Sequence, residues 1–444
     1  MAPTNGYWPT GGAPILRPKI SELVQEIAEN SKILEDYIIS QGLPYPSFAA
    51  DGPSACPLPP PKTPELIKLH AARTHVLTAS KLLHDLTAGP AELIQWSVLG
   101  FNDTSSLQVI YRFKIAQAVP ETGDISFNDL SKKVKIPAIK LGQILRFAMT
   151  NHIFCEPRNG YVAHTAASLL LRDENAPPSA WVGCSVDEFF GTAKHLSDSL
   201  EKDPGGIHDS SWAMEFEGQG YFEYLSKDAK RSNRFGLSMS QWSSGYGLNA
   251  ENLLRAYDWT KIRKGATIVD VGGATGFVCI EIAKSHPHLN FQIQDLSVPS
   301  LETGKKNIAK DSPELASRFQ FVEHNFFNEQ PTKGADVYFL RFILHDWPDN
   351  DVMKILKNLV PALKNGSKII ICDYILPPAN VVNPWEERRI RSTDILMLGL
   401  FHSYERQEAD WKRLFAEVDP RLRFDGFSSP EGSLTGVIET TYVE

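Results

Sequence analysis

His345 is the residue of this chain most suited to moving a proton. It stands in Arg341-Phe-Ile-Leu-His-Asp-Trp-Pro-Asp349, directly after an apolar run, Ala335–Phe339, that reads as a buried strand. Imidazole titrates near neutrality, so a histidine at the carboxyl end of a strand can serve as a general base. Two acids follow at the same expected edge. Asp373 closes the run Lys368–Asp373, and Glu405 follows the helical stretch Pro384–Phe401. A carboxylate bonded to one imidazole nitrogen fixes the tautomer and raises the basicity of the other. The plainer alternatives are a structural histidine, a loop cap for Asp373, and for Glu405 a solvated acid beside Asp410.

A second stretch with chemistry in it lies upstream, TIVDVGGATGFVCIEIAKSHPHLNFQIQDL, from Thr267 to Leu296. It reads as a strand (Thr267–Val271), a glycine turn, a helix (Phe277–Lys284) and a second strand (Phe291–Ile293) ending at Asp295. That is half of a nucleotide-binding βαβ unit. Gly272, Gly273 and Gly276 give a tight turn and a close backbone approach, and the helix start could cradle a pyrophosphate. Yet GGATG is not GxGxxG and no Lys-Ser/Thr follows, so neither a dinucleotide fingerprint nor a P-loop is present. Asp270 on the first strand and Asp295 at the end of the second suit a ligand with an amino-acid end and a ribose diol. S-adenosylmethionine fits. A glycine turn in an unrelated α/β domain stays open as the alternative.

These residues need a parallel sheet to hold them. From Lys264 onward strand and helix alternate, with further strands at Phe319–Glu323, Leu422–Phe427 and Leu434–Tyr442 and a helix at Asn350–Leu363. Seven strands, the last two joined by the turn Ser428–Ser433, predict an α/β, doubly wound sheet with an antiparallel edge. Ligands then lie at the carboxyl ends of the strands, near the switch point after the first.

The chain before the sheet is helical. Residues 1–64 read as an N-terminal arm (1–18), a helix from Ile20 to Gly42 and a Pro-rich linker. Residues 65–172 hold helices near Leu107–Ala118, Ser126–Val134 and Ala138–Thr150, then a hairpin of Ile153–Glu156 and Gly160–Ala163. That is the pattern of a winged helix. Residues 173–260 form a connecting helical region rich in aromatics, among them Trp181, Trp212, Tyr221, Trp242 and Tyr246, fit to line a flat ring or to fill a seam. Residues 261–444 form the ligand-binding domain.

The bulk numbers narrow the class. A net charge of −8 and only Lys140 and Arg146 as basic residues on the 138–150 helix argue against DNA binding and favour a scaffold for a second subunit. Five scattered cysteines without a CxxC pair speak against zinc and a disulfide framework. The N-terminus shows no apolar h-region and no run reaches ~18 apolar residues, so the expectation is a cytoplasmic protein without a membrane span.

VDVGGATG (269–276), QDL (294–296), LRFILHDWPDND (340–351), ICDYILP (371–377) and ERQEADWKRLF (405–415) together resemble one family. It is that of the small-molecule O-methyltransferases of the plant caffeate/flavonoid type and their fungal and bacterial relatives. The resemblance covers roughly residues 65–440. It implies a Rossmann-like, doubly wound methyltransferase domain and an N-terminal all-α, winged-helix-like domain that forms a homodimer. It also implies metal-independent transfer of a methyl group from S-adenosylmethionine to a hydroxylated small molecule, leaving S-adenosylhomocysteine. By motif, Gly272 and its neighbours would line the methionine end. Asp295, beside Leu296, would accept both ribose hydroxyls, with Arg341 near the cofactor and Trp347 by the adenine. His345 would be the base, with Asp373 and Glu405 flanking it. Two departures stand out. Asn325-Phe326 replaces an Asp-led adenine pair, and Asp373 is shorter than the usual Glu. Some fungal members of the family use the same fold as pericyclases or dehydratases that bind the cofactor without methyl transfer. That is the alternative function.

Overall fold

The helical spacing of Ile20, Leu23, Val24 and Ile27 is realised as a helix, α1 (Ile20–Ser40), which lies against α2 (Pro64–Ala88). Thr63 caps α2 by accepting from the Leu66 amide. The structure is a computed structural model that describes residues 17–202, 206–245 and 247–444. All but the last two residues of the expected arm, and Tyr246, lie outside the described residues. Contacts divide the described residues into two compact units: 17–198 with 212–244, and 199–211 with 245–444.

In the first unit the Pro-rich linker is tied to the domain that follows it. Phe48 stacks on His152 at 3.7 Å, and Ala49 pairs with Thr165 as a β-bridge. Helices α3 (Pro90–Leu99), α4 (Phe101–Arg112), α5 (Phe127–Val134) and α6 (Ala138–Met149) follow. Ile110, Leu130, Leu141, Leu145 and Val162 form a buried core. Ser126 caps α5 as its sequence predicts, accepting from the Asp129 amide. Two expectations need correcting. The helix expected over Leu107–Ala118 breaks after Arg112, because Lys114 adopts φ +53°, and resumes as a single turn, Ile115–Ala118. The expected hairpin reduces to one bridge between Cys155 and Ala163. His152 and Phe154 both take positive φ, which carries that strand out of the extended region, and Asp124–Ser126 pairs with Tyr161–Ala163 instead. Arg146, one of the two basic residues on α6, is held bidentate by Glu156.

In the second unit seven strands form one sheet: β1 (Thr267–Val271), β2 (Asn290–Asp295), β3 (Phe319–Glu323), β4 (Val337–Arg341), β5 (Lys368–Asp373), β6 (Leu422–Ser428) and β7 (Gly436–Tyr442). Their order is β3-β2-β1-β4-β5-β7-β6. The first five are parallel, and β7 runs antiparallel to both its neighbours. The switch point therefore falls beside β1, as expected. Strand β4 starts two residues later than the apolar run suggests, and so reaches Arg341. Asp336 accounts for the delay: its carboxylate accepts from the Thr267 amide, Arg263 and Lys364, making a polar corner before the strand.

Period-two alternation assigns each strand residue to a face. Ile268 packs with Val278, Cys279 and Ile282 of α7 (Phe277–Ser285). Val269 and Val271 pack on the other face with Val352 and Ile355 of α8 (Asp349–Leu359) and Trp411 of α9 (Glu408–Val418). Helices on both faces explain why β1, β4 and β5 are nearly continuous apolar runs. Among the described residues no helix is long and apolar enough to cross a membrane.

Candidate active site

At the carboxyl end of β1 the chain turns sharply. Gly272 and Gly276 adopt φ +79° and +73°, a region closed to most side chains. Space is also spoken for. A Cβ on Gly272 would come within 2.5 Å of Ile343, one on Gly273 within 2.4 Å of Asp270, and one on Gly276 within 2.8 Å of Ile293. The turn's amides are used internally. Gly272 and Gly273 both donate to the Gln294 carbonyl, at 2.8 and 2.9 Å, and Gly276 donates to Gly273. The Ala274 amide donates to Asp295 Oδ2 at 2.9 Å, and the Ser297 amide to Oδ1 at 2.7 Å. A pyrophosphate cradle needs free amides, and these are committed. The turn, packed closely against Ile343, Asp270 and Ile293, lies next to an acid whose two oxygens keep lone pairs for a diol. Burial pushes the Asp295 carboxyl up, against the pull of the amides that bond to it.

Asp270 lies on the Ile268 face, where Cys279 Sγ donates to its Oδ2 at 3.2 Å. Burial raises its pKa to about 7. Arg341, at the end of β4, donates to the Leu248 carbonyl at 2.9 Å and lies 4.4 Å over the Phe342 ring. Phe326 reaches the Gly272 position, and its ring meets Trp347 edge-on at 5.9 Å. Asn325 Oδ1 accepts from the Phe327 amide at 2.9 Å, which identifies that atom as the oxygen and turns the amide nitrogen away from it. Leu296 is 63% exposed beside Asp295. The residues predicted for the cofactor thus gather around the ends of β1, β2 and β4.

The loop after β4 brings His345 to the same edge. Phe342 takes φ +52°, strained for an aromatic residue, and its ring lies 5.5 Å from the imidazole. His345 Nδ1 is 2.9 Å from Glu405 Oε1, and both residues are buried. A neutral ring therefore carries its proton on Nδ1 and its lone pair on Nε2. Nε2 lies 3.5 Å from Asp346 Oδ1. Asp373 is fully buried. Neither of its oxygens makes a hydrogen bond of ordinary geometry, although the amides of Phe342 and His345 face it. It acts on His345 through charge and does not bond to it.

Four titratable groups thus lie together, His345, Asp373 and Glu405 buried and Asp346 partly so. Burial alone would lower the His345 pKa, but Glu405, then Asp346 and Asp373, outweigh it and raise it to about 10. Burial raises Asp346 to about 7, against the pull of His345, and raises Asp373 and Glu405 as well. Such a cluster holds more protons than its members would hold in water and can pass one to or from a ligand.

Three contributors lay beyond the sequence reading. Asp346 sits inside the quoted HDWPD motif, and its contact with Nε2 depends on the loop's shape. Phe342 takes part through a backbone angle that residue type does not signal. Gln294 is buried in β2; its carbonyl holds the glycine turn, and its side chain exchanges two 2.8 Å hydrogen bonds with Gln330, beyond the Asn325-Phe326 loop.

A doubly wound sheet with a tight glycine turn after its first strand and an acid closing its second fits the S-adenosylmethionine-binding methyltransferase class. The profile of an O-methyltransferase domain matches residues 194–419. A chlorophenol O-methyltransferase of Trichoderma longibrachiatum is 35% identical over 99% of this chain and 93% of its own. A grayanic acid biosynthesis cluster O-methyltransferase of Cladonia grayi is 37% identical, covering 96% and 88%. The crystal structure of OxaC is similar with a TM-score of 0.72 at 20% identity, over 95% of this chain and 98% of that one, a likeness of fold. The chain belongs to the O-methyltransferase family and is an S-adenosylmethionine-dependent O-methyltransferase.

Proposed function

We propose that the enzyme methylates a hydroxyl of an aromatic secondary metabolite, with His345 as the general base and no metal. The observation that carries this reading is the buried His345–Glu405 pair beside the glycine turn. Bound S-adenosylmethionine supplies a sulfonium methyl that is already electrophilic, so no Lewis acid is needed. The protein's tasks are to hold the acceptor oxygen in line, near ~3 Å, and to take its proton. His345 Nε2 takes it. Glu405 keeps Nδ1 protonated and stabilises the imidazolium that forms. Asp373 adds negative potential from behind. Asp295 receives the ribose hydroxyls, and the backbone of the turn at Gly272, Gly273 and Gly276 lines the methionine end. Phe326, Trp347 and Leu296 cover the adenine, and Asn325 donates to its edge.

A phenol has a pKa of about 10. A base raised to about 10 is matched to it, so the proton moves with little free-energy change. The Trichoderma relative's name, a chlorophenol O-methyltransferase, supports a phenolic acceptor. In this reading residues 65–172 are a winged-helix-like dimerisation domain. Ile94, Trp96, Val98 and Phe101 support it, since each is more than half exposed over two short helices.

The test is incubation with methyl-labelled S-adenosylmethionine and a panel of phenols that includes 2,4-dichlorophenol. The expected result is a labelled methyl ether with one S-adenosylhomocysteine released per ether. Conversion of an acceptor with no S-adenosylhomocysteine released would overturn it in favour of pericyclic or dehydrating chemistry.

A further inference from the structure

Arg406 is 1% exposed, with a fully covered side chain. Arginine is almost never buried to that degree without a reason. It follows Glu405 directly in an irregular segment. Four successive residues of that segment bond to residues 344–349. Ser403 Oγ lies within donating distance of the His345 carbonyl at 2.7 Å and the Trp347 carbonyl at 2.9 Å, sharing its one proton between them. Tyr404 donates to Asp349 Oδ2 at 3.1 Å. Glu405 accepts at His345 Nδ1. Arg406 donates to the Leu344 carbonyl at 2.9 Å, the Trp347 carbonyl at 2.7 Å and Asp349 Oδ1 at 3.0 and 2.9 Å. Residues 403 and 405 thus grip His345, and residues 404 and 406 grip Asp349 at the start of α8.

We propose that Ser403–Arg406 is a two-sided clamp, with Ser403 and Arg406 as positioning residues that fix the backbone of the 344–349 loop. The inference rests on His345 being the base. The loop has no regular ladder to hold it. It is one short turn, Leu344–Asp346, entered through the strained Phe342. Its Leu344, His345 and Trp347 carbonyls all accept from side chains of this segment. Without the Ser403 and Arg406 contacts the imidazole would still meet Glu405, but its Nε2 would lose its fixed aim. An Arg406 cation also stands near enough to Asp373 to favour its ionised form, so the clamp bears on the charge of the pocket as well as on its shape.

The experiment compares Ser403→Ala, Arg406→Lys and His345→Gln. Three quantities are read: S-adenosylhomocysteine affinity by calorimetry, turnover of 2,4-dichlorophenol, and the NMR titration of the His345 ring, assigned by its loss in His345→Gln. Positional error at a reacting group costs up to about 100-fold, so Arg406→Lys should lose about that much kcat and Ser403→Ala about tenfold. Affinity for S-adenosylhomocysteine should stay within about twofold in both, and the His345 titration should shift. Unchanged kcat and unchanged titration in the folded variants would overturn the clamp. So would a loss of S-adenosylhomocysteine affinity parallel to the loss of kcat, which marks a general structural role. If Arg406→Lys does not fold, Ser403→Ala carries the test, since it removes one shared hydrogen bond and no charge. Full turnover by His345→Gln would sink the base assignment itself, and the ring titration would still decide whether the clamp acts on His345.

Discussion

Glu405 stands sixty residues beyond His345 in the chain, and its Oε1 lies 2.9 Å from the imidazole Nδ1 with both side chains out of water. A buried carboxylate against a buried imidazole fixes which nitrogen is free. It also raises the proton affinity of the ring far above that of a histidine in solution.

The first consequence is a pH profile. His345 acts as a base only when its ring is neutral, and its conjugate acid is raised to about 10. The base form therefore accumulates as pH rises, and kcat/KM for a phenol should climb steadily between about pH 7 and 9. Glu405 is the strongest influence raising that pKa. In Glu405→Gln the rise should move to lower pH while maximal turnover falls about 100-fold, because the ring is no longer held in one tautomer. Rate measurements across pH on both proteins check the direction of the shift.

Asp270 gives a prediction about stability. Its folded pKa is raised from 3.8 to about 7 by burial. Below pH 4 the carboxyl is neutral folded or unfolded and costs nothing. As pH rises through 7 the folded state must bury a charge, and stability is lost. Asp270→Asn should therefore gain on the wild type between pH 5 and pH 8, by on the order of 3 kcal/mol. Thermal melts of both proteins without cofactor at pH 5 and pH 8 measure that difference.

Gly273 is required by the volume of its neighbour. Gly273→Ala would set a methyl 2.4 Å from Asp270 Oδ2 inside the turn. Overpacking of this kind costs about 1–3 kcal/mol and displaces the backbone that faces the ligand. Calorimetry should find S-adenosylhomocysteine affinity reduced by tenfold or more, roughly 1.4 kcal/mol.

The Gln294–Gln330 pair should matter to both fold and cofactor. Gln330→Leu removes both hydrogen bonds to Gln294 and the acceptor of the Thr332 amide, and leaves Gln294 Oε1 without that donor while its nitrogen keeps Gln292 and Thr332, a cost of about 1–3 kcal/mol. Urea unfolding should register that loss. The variant should also bind S-adenosylhomocysteine more weakly, since the loop bearing Asn325 and Phe326 is tethered there.

Much of the sheet was legible from the sequence because its strands are buried on both faces. Thr267–Val271 and Lys368–Asp373 were read to the residue. Where a polar residue changed the geometry, the reading drifted. Asp336 delays β4, and positive φ at Lys114, His152 and Phe154 breaks a helix and dissolves a hairpin strand. The site followed the same logic. His345 and Glu405 carry functional groups whose meeting residue type can anticipate. The parts played by Asp346, Ser403 and Arg406 arise from an irregular segment crossing a loop, and no local pattern encodes that crossing.

Metal removal bears on the chemistry. If the sulfonium alone activates the methyl, dialysis against EDTA should leave kcat unchanged, and added magnesium should not raise it. A loss restored by magnesium would count against the metal-free route.

The most direct test of the account is single-turnover methyl transfer by His345→Gln, with cofactor affinity measured alongside. Removal of a general base should slow transfer by about 10²- to 10⁴-fold. S-adenosylhomocysteine should bind as it does to the wild type, because His345 stands on a different loop from the glycine turn and Asp295. Transfer at the wild-type rate by His345→Gln would contradict the account.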